Sequence, residues 1–247
     1  MNKAVGIIPA RWRSTRFQGK PLHLIAGKPL LRHVWERCQQ AKSLDSVIIA
    51  TDDMRIADAA FDWGAEVALT SPKHQSGTDR IAEVAKKAKQ FDFIVNIQGD
   101  EPLIEARLID RIVETLRSNP KIDIVTAGHL FESEADASSP HQVKVIVDRN
   151  GAALDFRRTV PPPSRGTKML RHQGIYGFRR DALLRFVKWK QTQRERAESL
   201  EQLRALENGV TVHVLLTKHG SPGVDTLADA KALEQNLARA KRRGVAR

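Results

Sequence analysis

The sequence predicts an α/β fold in three layers, with a mostly parallel central sheet and a small antiparallel insertion. Over the first half of the chain, short apolar runs rich in β-branched residues alternate with segments of helical periodicity, which is typical of strands joined by helices. After residue 140 a hairpin pattern replaces this alternation. Because parallel strands need crossover connections, we expect helices to cover the sheet and ligands to bind outside the carboxyl ends of its strands.

Five strands are predicted in the first half, at residues 4–8, 47–50, 67–70, 93–97 and 122–127. The helix over 54–63 should end at Gly64, because glycine readily adopts the left-handed conformation that follows many helices. The helix over 80–90 should begin after residues 76–79, which offer N-cap side chains. Each predicted helix therefore lies between two predicted strands, as crossover connections require.

The second half is predicted to hold a hairpin, a loop rich in proline and basic residues, two further strands and three helices. In chain order these are hairpin strands 143–147 and 152–156 around a turn at 149–151, loop 157–168, strand 174–178, helices 180–189 and 195–208, strand 210–217 and helix 227–240. No repeat or low-complexity linker separates the halves. We therefore predict one domain over residues 1–247, with an antiparallel excursion at about 140–180.

Composition excludes several classes of protein. One cysteine permits neither an intrachain disulfide nor a cysteine-rich zinc site, and Cys38 lies on the apolar stripe of a predicted helix, where we interpret it as a core residue. No stretch approaches the ~18 to 20 apolar residues of a membrane span, and no secretory signal is visible, so we expect a cytoplasmic protein. The net charge of +12 leaves a basic nucleic-acid-binding module as an alternative of a different class. Its dispersed charge and few aromatic residues favour a small anionic substrate instead.

The loop after the first predicted strand is strongly cationic. Pro9 should end that strand, because proline cannot donate to a sheet ladder. Arg11, Arg16 and Lys20 follow, and arginine and lysine side chains together suit the phosphates of a nucleoside triphosphate. A solvated basic loop is the alternative. The chain has neither the glycine spacing of a dinucleotide-binding loop nor that of a P-loop, so hydride transfer and P-loop hydrolysis are disfavoured.

Two aspartates are candidate magnesium ligands. Asp100 follows the predicted strand 93–97, and Asp225 lies between the last predicted strand and the last predicted helix. Mg²⁺ takes one or two protein carboxylates and completes its shell with water and substrate phosphates. The alternatives are a turn residue for Asp100 and a helix N-cap for Asp225.

Eight segments together resemble one family in its own order. They are residues 8–21, 50–53, 74–80, 96–102, 143–145, 171–177, 200–204 and 223–226. The chain resembles the CMP-Kdo synthetase (3-deoxy-manno-octulosonate cytidylyltransferase) family along nearly its whole length, where Kdo is 3-deoxy-manno-octulosonate. The resemblance implies a Rossmann-like three-layer nucleotidyltransferase fold, a Mg²⁺ cofactor, CTP and Kdo as substrates, and a homodimer to which the antiparallel excursion contributes.

The resemblance also implies roles for individual residues. Those implied to bind the triphosphate are Arg11, Ser14, Arg16 and Lys20, and those implied to border the cytosine are Ser76, Gly77, Arg80 and Gln98. Asp100 and Asp225 are implied to bind the metal and, with Arg11 and Lys20, to be catalytic. Those implied to bind the sugar acid are Arg158, His172, Tyr176, Glu201 and Gln202. From the local sequence alone, His172 also reads as a structural histidine and Tyr176 as a core aromatic.

The implied reaction is attack of the anomeric hydroxyl of Kdo on the α-phosphorus of CTP, with release of pyrophosphate and formation of CMP-Kdo for lipopolysaccharide biosynthesis. One segment departs from the family. Members usually read Phe-Ser-Arg, two further residues and Ile-Pro, whereas residues 156–161 are shorter and have arginine in place of serine. The register of Arg157 and Arg158 is open for this reason, and another ulosonic acid, such as 8-amino-Kdo or a sialic acid, remains an alternative substrate.

Overall fold

A computed structural model describes residues 2–13, 17–162 and 165–242, and every statement about the structure refers to these ranges. The strands are β1 Ala4–Ala10, β2 Leu24–Ile25, β3 Lys28–Pro29, β4 Ser46–Thr51, β5 Glu66–Leu69, β6 Phe93–Asn96, β7 Ile124–His129, β8 Lys144–Val147, β9 Ala153–Arg157, β10 Lys168–Arg179 and β11 Val212–Thr217. The helices are α1 Leu30–Cys38, α2 Met54–Asp62, α3 Gly77–Lys87, α4 Ala106–Ser118, α5 Glu134–Ser138, α6 Arg180–Phe186, α7 Gln193–Glu198, α8 Leu203–Glu207 and α9 Leu227–Arg242. A 3-10 turn spans Lys20–Leu22.

The central sheet has the strand order β11-β7-β10-β6-β1-β4-β5. All pairings along this path are parallel except those of β10, which runs antiparallel to both β6 and β7. The hairpin β8–β9 joins the sheet through the first residues of β10. The predicted mostly parallel sheet with a small antiparallel insertion is therefore confirmed.

Helices cover both faces of the sheet, as the three-layer prediction requires. On one face, α1, α2 and α4 bury apolar side chains against alternate strand residues such as Ile8 and Val95. On the other, α3, α6 and α8 pack against the intervening residues such as Ile7 and Ile94. Cys38 is completely buried in the first of these clusters, which confirms it as a core residue. Among the helices of the described ranges, none combines the length and hydropathy needed to cross a membrane.

The prediction that Pro9 ends the first strand was wrong. β1 continues to Ala10, and Pro9 pairs in register with Ala50 of β4. The carbonyl of Ile7 accepts a hydrogen bond from Ile97 on the β6 side, where the pairing ends. Alternate residues of a strand direct their backbone groups to the same side, so the missing N–H of Pro9 faces the side on which β6 has already stopped.

Two other boundaries also differ from the prediction. The predicted strand 174–178 is only the last part of β10, whose first residues hold the excursion. The predicted helix 195–208 is two short helices, because Ser199 adopts a left-handed conformation with φ of 52°. The break allows Arg204 of α8 to reach back to Glu195 of α7 in a buried ion pair, with Nε–Oε2 and Nη2–Oε1 distances of 2.9 and 2.5 Å.

Candidate active site

Lys20 brings the two predicted metal aspartates together. Its Nζ lies 2.6 Å from Oδ2 of Asp100 and 3.3 Å from Oδ1 of Asp225. Asp100 follows β6, and its carbonyl accepts a hydrogen bond of 2.8 Å from Val224, which fixes the loop before α9 against the loop after β6. The three charged groups therefore converge at the carboxyl edge of the sheet.

The alternative role of Asp225 as a helix cap does not match the structure. The first turn of α9 is closed by Thr226 and Asp229: Thr226 N donates to Asp229 Oδ2 at 2.8 Å, and Asp229 N donates to Thr226 Oγ1 at 3.2 Å. This reciprocal arrangement is a capping box. The carboxylate of Asp225 is directed to Lys20 instead.

Asp100 and Asp225 fit a divalent cation of the Mg²⁺ type. Both supply the carboxylate oxygens that hard cations prefer, and they meet at one place. Within the described ranges, no group of three or more His, Cys, Asp or Glu side chains completes a protein cage. The remaining ligands would therefore be water and nucleotide phosphates, as is usual for Mg²⁺.

Arg11 lies where β1 opens into the cationic loop. Its Nη1 donates to the carbonyl of Gln75 at 3.1 Å, while its buried Nη2 has no hydrogen-bond partner in the described part of the chain. Burial and the neighbouring Arg80 lower the pKa of Arg11. An anion at this guanidinium would satisfy the unpaired nitrogen and relieve the repulsion. Ser14 and Arg16, predicted in the same loop, lie outside the described residues.

The residues predicted to border the cytosine surround the start of α3. Ser76 caps this helix in a capping box with Asp79. Gly77 allows the helix to approach β1, because a Cβ there would lie 3.2 Å from Cγ of Pro9. Arg80, one turn further on, is completely buried.

The buried guanidinium of Arg80 keeps unused donors. Its Nη1 donates to Oγ1 of Thr70 at 2.5 Å, and its Nη2 lies 3.2 Å from Oδ1 of Asp52. Neither Nε nor Nη2 makes a hydrogen bond of good geometry within the described ranges. A carbonyl acceptor such as that of cytosine would suit these donors.

Gln98 links β6 to β10 across the site. Its Nε2 donates to the carbonyl of Gly174 at 3.1 Å. Gly174 lies in the irregularity of β10 between Gln173 and Tyr176, where the register with β7 shifts. The bulge thus joins the segment that precedes Asp100 to the strand that carries two predicted sugar-acid residues.

Three of the five predicted sugar-acid residues line one cavity. Tyr176, Glu201 and Gln202 enclose it together with Thr78, in a volume of about 40 Å³. Thr78 donates a hydrogen bond of 2.5 Å from Oγ1 to Oε2 of Glu201. Burial raises the pKa of Glu201, and burial together with the Glu201 carboxylate raises the pKa of Tyr176.

His172 packs beside this cavity without lining it. Its ring centroid lies 5.4 Å from that of Tyr176 and 5.1 Å from that of Phe156. Burial lowers the pKa of His172 to about 3, so the ring is neutral near pH 7. Its Nε2 lies 2.9 Å from Oγ1 of Thr126, whose hydroxyl also faces two backbone carbonyls.

The structure distinguishes the two arginines whose register the sequence left open. Arg157 forms hydrogen bonds of 2.8 and 2.5 Å with Asp155, which Arg194 also contacts at 2.6 Å. Arg158 instead donates through Nε to the carbonyl of Glu198 at 2.8 Å and through Nη1 to that of Pro140 at 3.3 Å. Arg158 is therefore tied to the last residue of α7 and to Pro140, and it does not line the cavity of Tyr176.

Two residues near the site had received no role from the sequence. Lys144 at the start of β8 is completely buried, and its ammonium donates to the carbonyls of Ser139, Gln142 and Arg158 at 2.5, 2.8 and 2.8 Å. A lysine between two valines in a predicted strand was the available signal. Glu101, beside Asp100, is 8% exposed, and burial with the Asp100 charge raises its pKa to about 8.

Comparisons with known proteins show which family this chain resembles. A family model described as cytidylyltransferase matches residues 5–213. The 3-deoxy-manno-octulosonate cytidylyltransferase of Fusobacterium nucleatum is 44% identical over 227 residues, covering 91% of this chain and 92% of the relative. The protein of the same name from Leptospira biflexa is 43% identical over 246 residues, covering 99% of each.

Solved structures show the same likeness. A CMP:2-keto-3-deoxy-manno-octonic acid synthetase complexed with CTP superposes with a TM-score of 0.92 at 38% identity, covering 96% of this chain and 99% of the other. A 4-diphosphocytidyl-2C-methyl-D-erythritol synthase from Anaerococcus prevotii has a TM-score of 0.66 at 14% identity, covering 96% of this chain and 99% of the other. This second likeness concerns the fold alone.

Proposed function

The chain belongs to the 3-deoxy-manno-octulosonate cytidylyltransferase family, and from this premise we propose that it transfers CMP from CTP to the anomeric hydroxyl of Kdo and releases pyrophosphate. The observation that carries the proposal is the convergence of Lys20, Asp100 and Asp225 at the carboxyl edge of the sheet. Ligands of open α/β sheets bind at this edge.

CTP would bind between the cationic loop and the start of α3. The unpaired guanidinium nitrogen of Arg11 would take a phosphate oxygen, and Ser14, Arg16 and Lys20 would hold the rest of the triphosphate. The residues proposed to recognise cytosine are Ser76, Gly77, Arg80 and Gln98. As negative charge accumulates on the departing pyrophosphate, the fixed cations would stabilise it without reorganisation.

Mg²⁺ is the proposed metal, held by Asp100 and Asp225. When bound, such an ion neutralises phosphate charge and orients the reacting oxygens. Lys20, which pairs with both carboxylates in this structure, would then turn its ammonium to the phosphates. Residues already held by the fold thus position both substrates, and positioning of this kind supplies much of the rate enhancement in two-substrate reactions.

The sugar acid would bind over β10. Tyr176, Glu201 and Gln202 offer groups that recognise hydroxyls, and neutral His172 supports Tyr176 by ring contact. Arg158 is the proposed cation for the carboxylate of the acid. Its Nε and Nη1 donate to backbone carbonyls, which carry no charge. At these two nitrogens the guanidinium therefore has no carboxylate counter-ion.

Pyrophosphate release tests the proposal directly. The purified protein should release pyrophosphate only when CTP, Mg²⁺ and Kdo are all present, with 8-amino-Kdo and a sialic acid tested in parallel. Asp100→Asn and Asp225→Asn should each lower kcat by at least about 100-fold, by analogy with the loss of one charge-stabilising group at other active sites. Asp181→Asn, whose side chain is 82% exposed, is the matched control and should leave kcat unchanged.

The acid that supports turnover distinguishes the outcomes. Turnover with another ulosonic acid but not with Kdo would replace the proposed substrate and retain cytidylyl transfer. No release with any of the acids would refute the enzyme proposal.

From membership of this family we also propose an oligomeric state, a cellular location and a use for the product. We expect a homodimer to which the excursion at 140–180 contributes, measurable by light scattering in solution. We expect the enzyme to work in the cytoplasm, where CTP is made. CMP-Kdo would then serve lipopolysaccharide biosynthesis.

A further inference from the structure

Asn96, the last residue of β6, has a buried amide oxygen without a hydrogen-bond partner in the described part of the chain. Its side chain is 2% exposed, and its Oδ1 is buried with no partner within the described ranges. Buried side-chain polar atoms are paired in the large majority of cases, because an unpaired one costs its desolvation free energy. Because this asparagine lowers the stability of the fold by that desolvation free energy, a role in ligand binding would explain its presence.

The sheet register shows where this amide lies. Asn96 is directly opposite Tyr176 of β10 and next to Ile7 of β1. Residues directly opposite in an antiparallel pair share a face, with Cβ atoms about 4.5–5.5 Å apart. Ile7 and Tyr176 both belong to the apolar cluster under α3. Asn96 therefore faces α3, beside Tyr176, at the carboxyl edge of the sheet.

A second buried polar atom without a hydrogen bond belongs to Glu201, which lines a cavity together with Tyr176. Oε2 of Glu201 accepts the hydrogen bond from Thr78, whereas its buried Oε1 makes no hydrogen bond within the described ranges and lies 3.8 Å from Nη2 of Arg204 in an ion pair. Two buried oxygens without hydrogen bonds, each on a residue that neighbours Tyr176, would suit the hydroxyls of a polyhydroxylated ligand.

We propose that Asn96 is a further sugar-acid-binding residue, whose carboxamide bonds a hydroxyl of the acid beside Tyr176. The inference rests on the proposed function. A carboxamide both donates and accepts, and so does a hydroxyl, so the two groups match in either orientation. The present cavity of about 40 Å³ is smaller than an eight-carbon acid. Binding therefore requires the residues around this cavity to move apart, so that the ligand reaches the end of β6.

Asn96→Leu tests this inference, because leucine has nearly the same size and removes the unpaired amide. If Asn96 serves the ligand, the variant should keep or raise Tm, while KM for Kdo rises about tenfold and KM for CTP stays within twofold. If Asn96 had only a structural role, Asn96→Leu would lower Tm and leave KM for Kdo unchanged. Asn208→Leu is the control, since it removes a hydrogen bond of 2.8 Å from Nδ2 to the carbonyl of Arg204. It should lower Tm and leave both KM values unchanged.

The measurements separate this inference from the function on which it rests. Wild-type protein that fails to turn over Kdo refutes the proposed function, and the inference falls with it. If the wild type is active, the inference alone is overturned by any of three results for Asn96→Leu. These are an unchanged KM for Kdo, an equal rise in KM for CTP, and a Tm as low as that of Asn208→Leu or a failure to fold.

Discussion

Replacing Lys144 by methionine should destabilise the protein by about 2–4 kcal/mol. The ammonium donates to three carbonyls, those of Ser139, Gln142 and Arg158. Hydrogen bonds that involve a charged group contribute about 1.5–3 kcal/mol each, so three amount to roughly 4–9 kcal/mol. Burial opposes this gain and lowers the pKa of Lys144, because removing an ammonium from water costs several kcal/mol. The expected loss of stability is the free energy of the three hydrogen bonds minus the cost of burying the ammonium.

Thermal unfolding measures this loss. For a domain of this size, 1 kcal/mol shifts Tm by about 2–4 °C, so Lys144→Met should lower Tm by roughly 4–16 °C. Lys87→Met is the matched control, because the Lys87 side chain is 70% exposed and its pair with Glu83 lies on a helix surface, where such pairs contribute only about 0.3–0.5 kcal/mol.

The same substitution should also weaken sugar-acid binding. Lys144 holds the backbone of Arg158, so KM for Kdo should rise while KM for CTP changes little. The reasoning would be refuted if Lys144→Met and Lys87→Met had the same Tm, since the three carbonyls would then lose nothing when the ammonium is removed.

Three other substitutions probe the core and the site. Gly177→Ala should cost about 1–3 kcal/mol, because its Cβ would lie 2.2 Å from Cγ2 of Ile112; in urea unfolding, the double variant with Ile112→Ala should be more stable than the sum of the single changes. Burial holds the pKa of His172 at about 3, so the unfolded chain binds more protons and stability falls as pH drops from about 6.5 toward 3; His172→Gln should flatten that slope, and an unchanged slope would contradict it. Glu195→Gln should cost about 3–5 kcal/mol by removing the carboxylate that accepts two hydrogen bonds from buried Arg204, which keeps only a 3.8 Å pair with Glu201; a smaller loss in the double variant with Arg204→Met would confirm that cause.

The order of helices and strands was largely predictable because local periodicity and the tertiary structure agree. The N-cap signal at Ser76 and the apolar stripe around Cys38 both correspond to what the structure shows. Boundaries failed where a distant element decides the local conformation. Pro9 stays in β1 because β6 stops early, and the helix predicted at 195–208 breaks at Ser199.

The candidate site was predictable where its residues follow strand ends. Asp100 and Asp225 each come after a strand, and parallel strands bring their carboxyl ends to one edge. Lys144 and Asn96 were not predictable in the same way. The role of Lys144 depends on the carbonyls that surround its ammonium, and that of Asn96 on an amide oxygen with no hydrogen-bond partner among the described residues. The neighbours of Asn96 in the sheet, Ile7 and Tyr176, are far from it in the chain, and the carbonyls around Lys144 lie in irregular segments whose conformation has no local sequence pattern.

The strand order also determines when the sheet can be completed during synthesis. In the described part of the chain, β7 pairs only with β10 and β11, and both leave the ribosome after it. The strands β1, β4, β5 and β6 neighbour one another in space, so the N-terminal half of the sheet can assemble while translation continues. β7 must wait with both edges open until β10 emerges and joins it to β6. The strand that carries His172 and Tyr176 is therefore also the one whose arrival unites the two halves of the nascent protein.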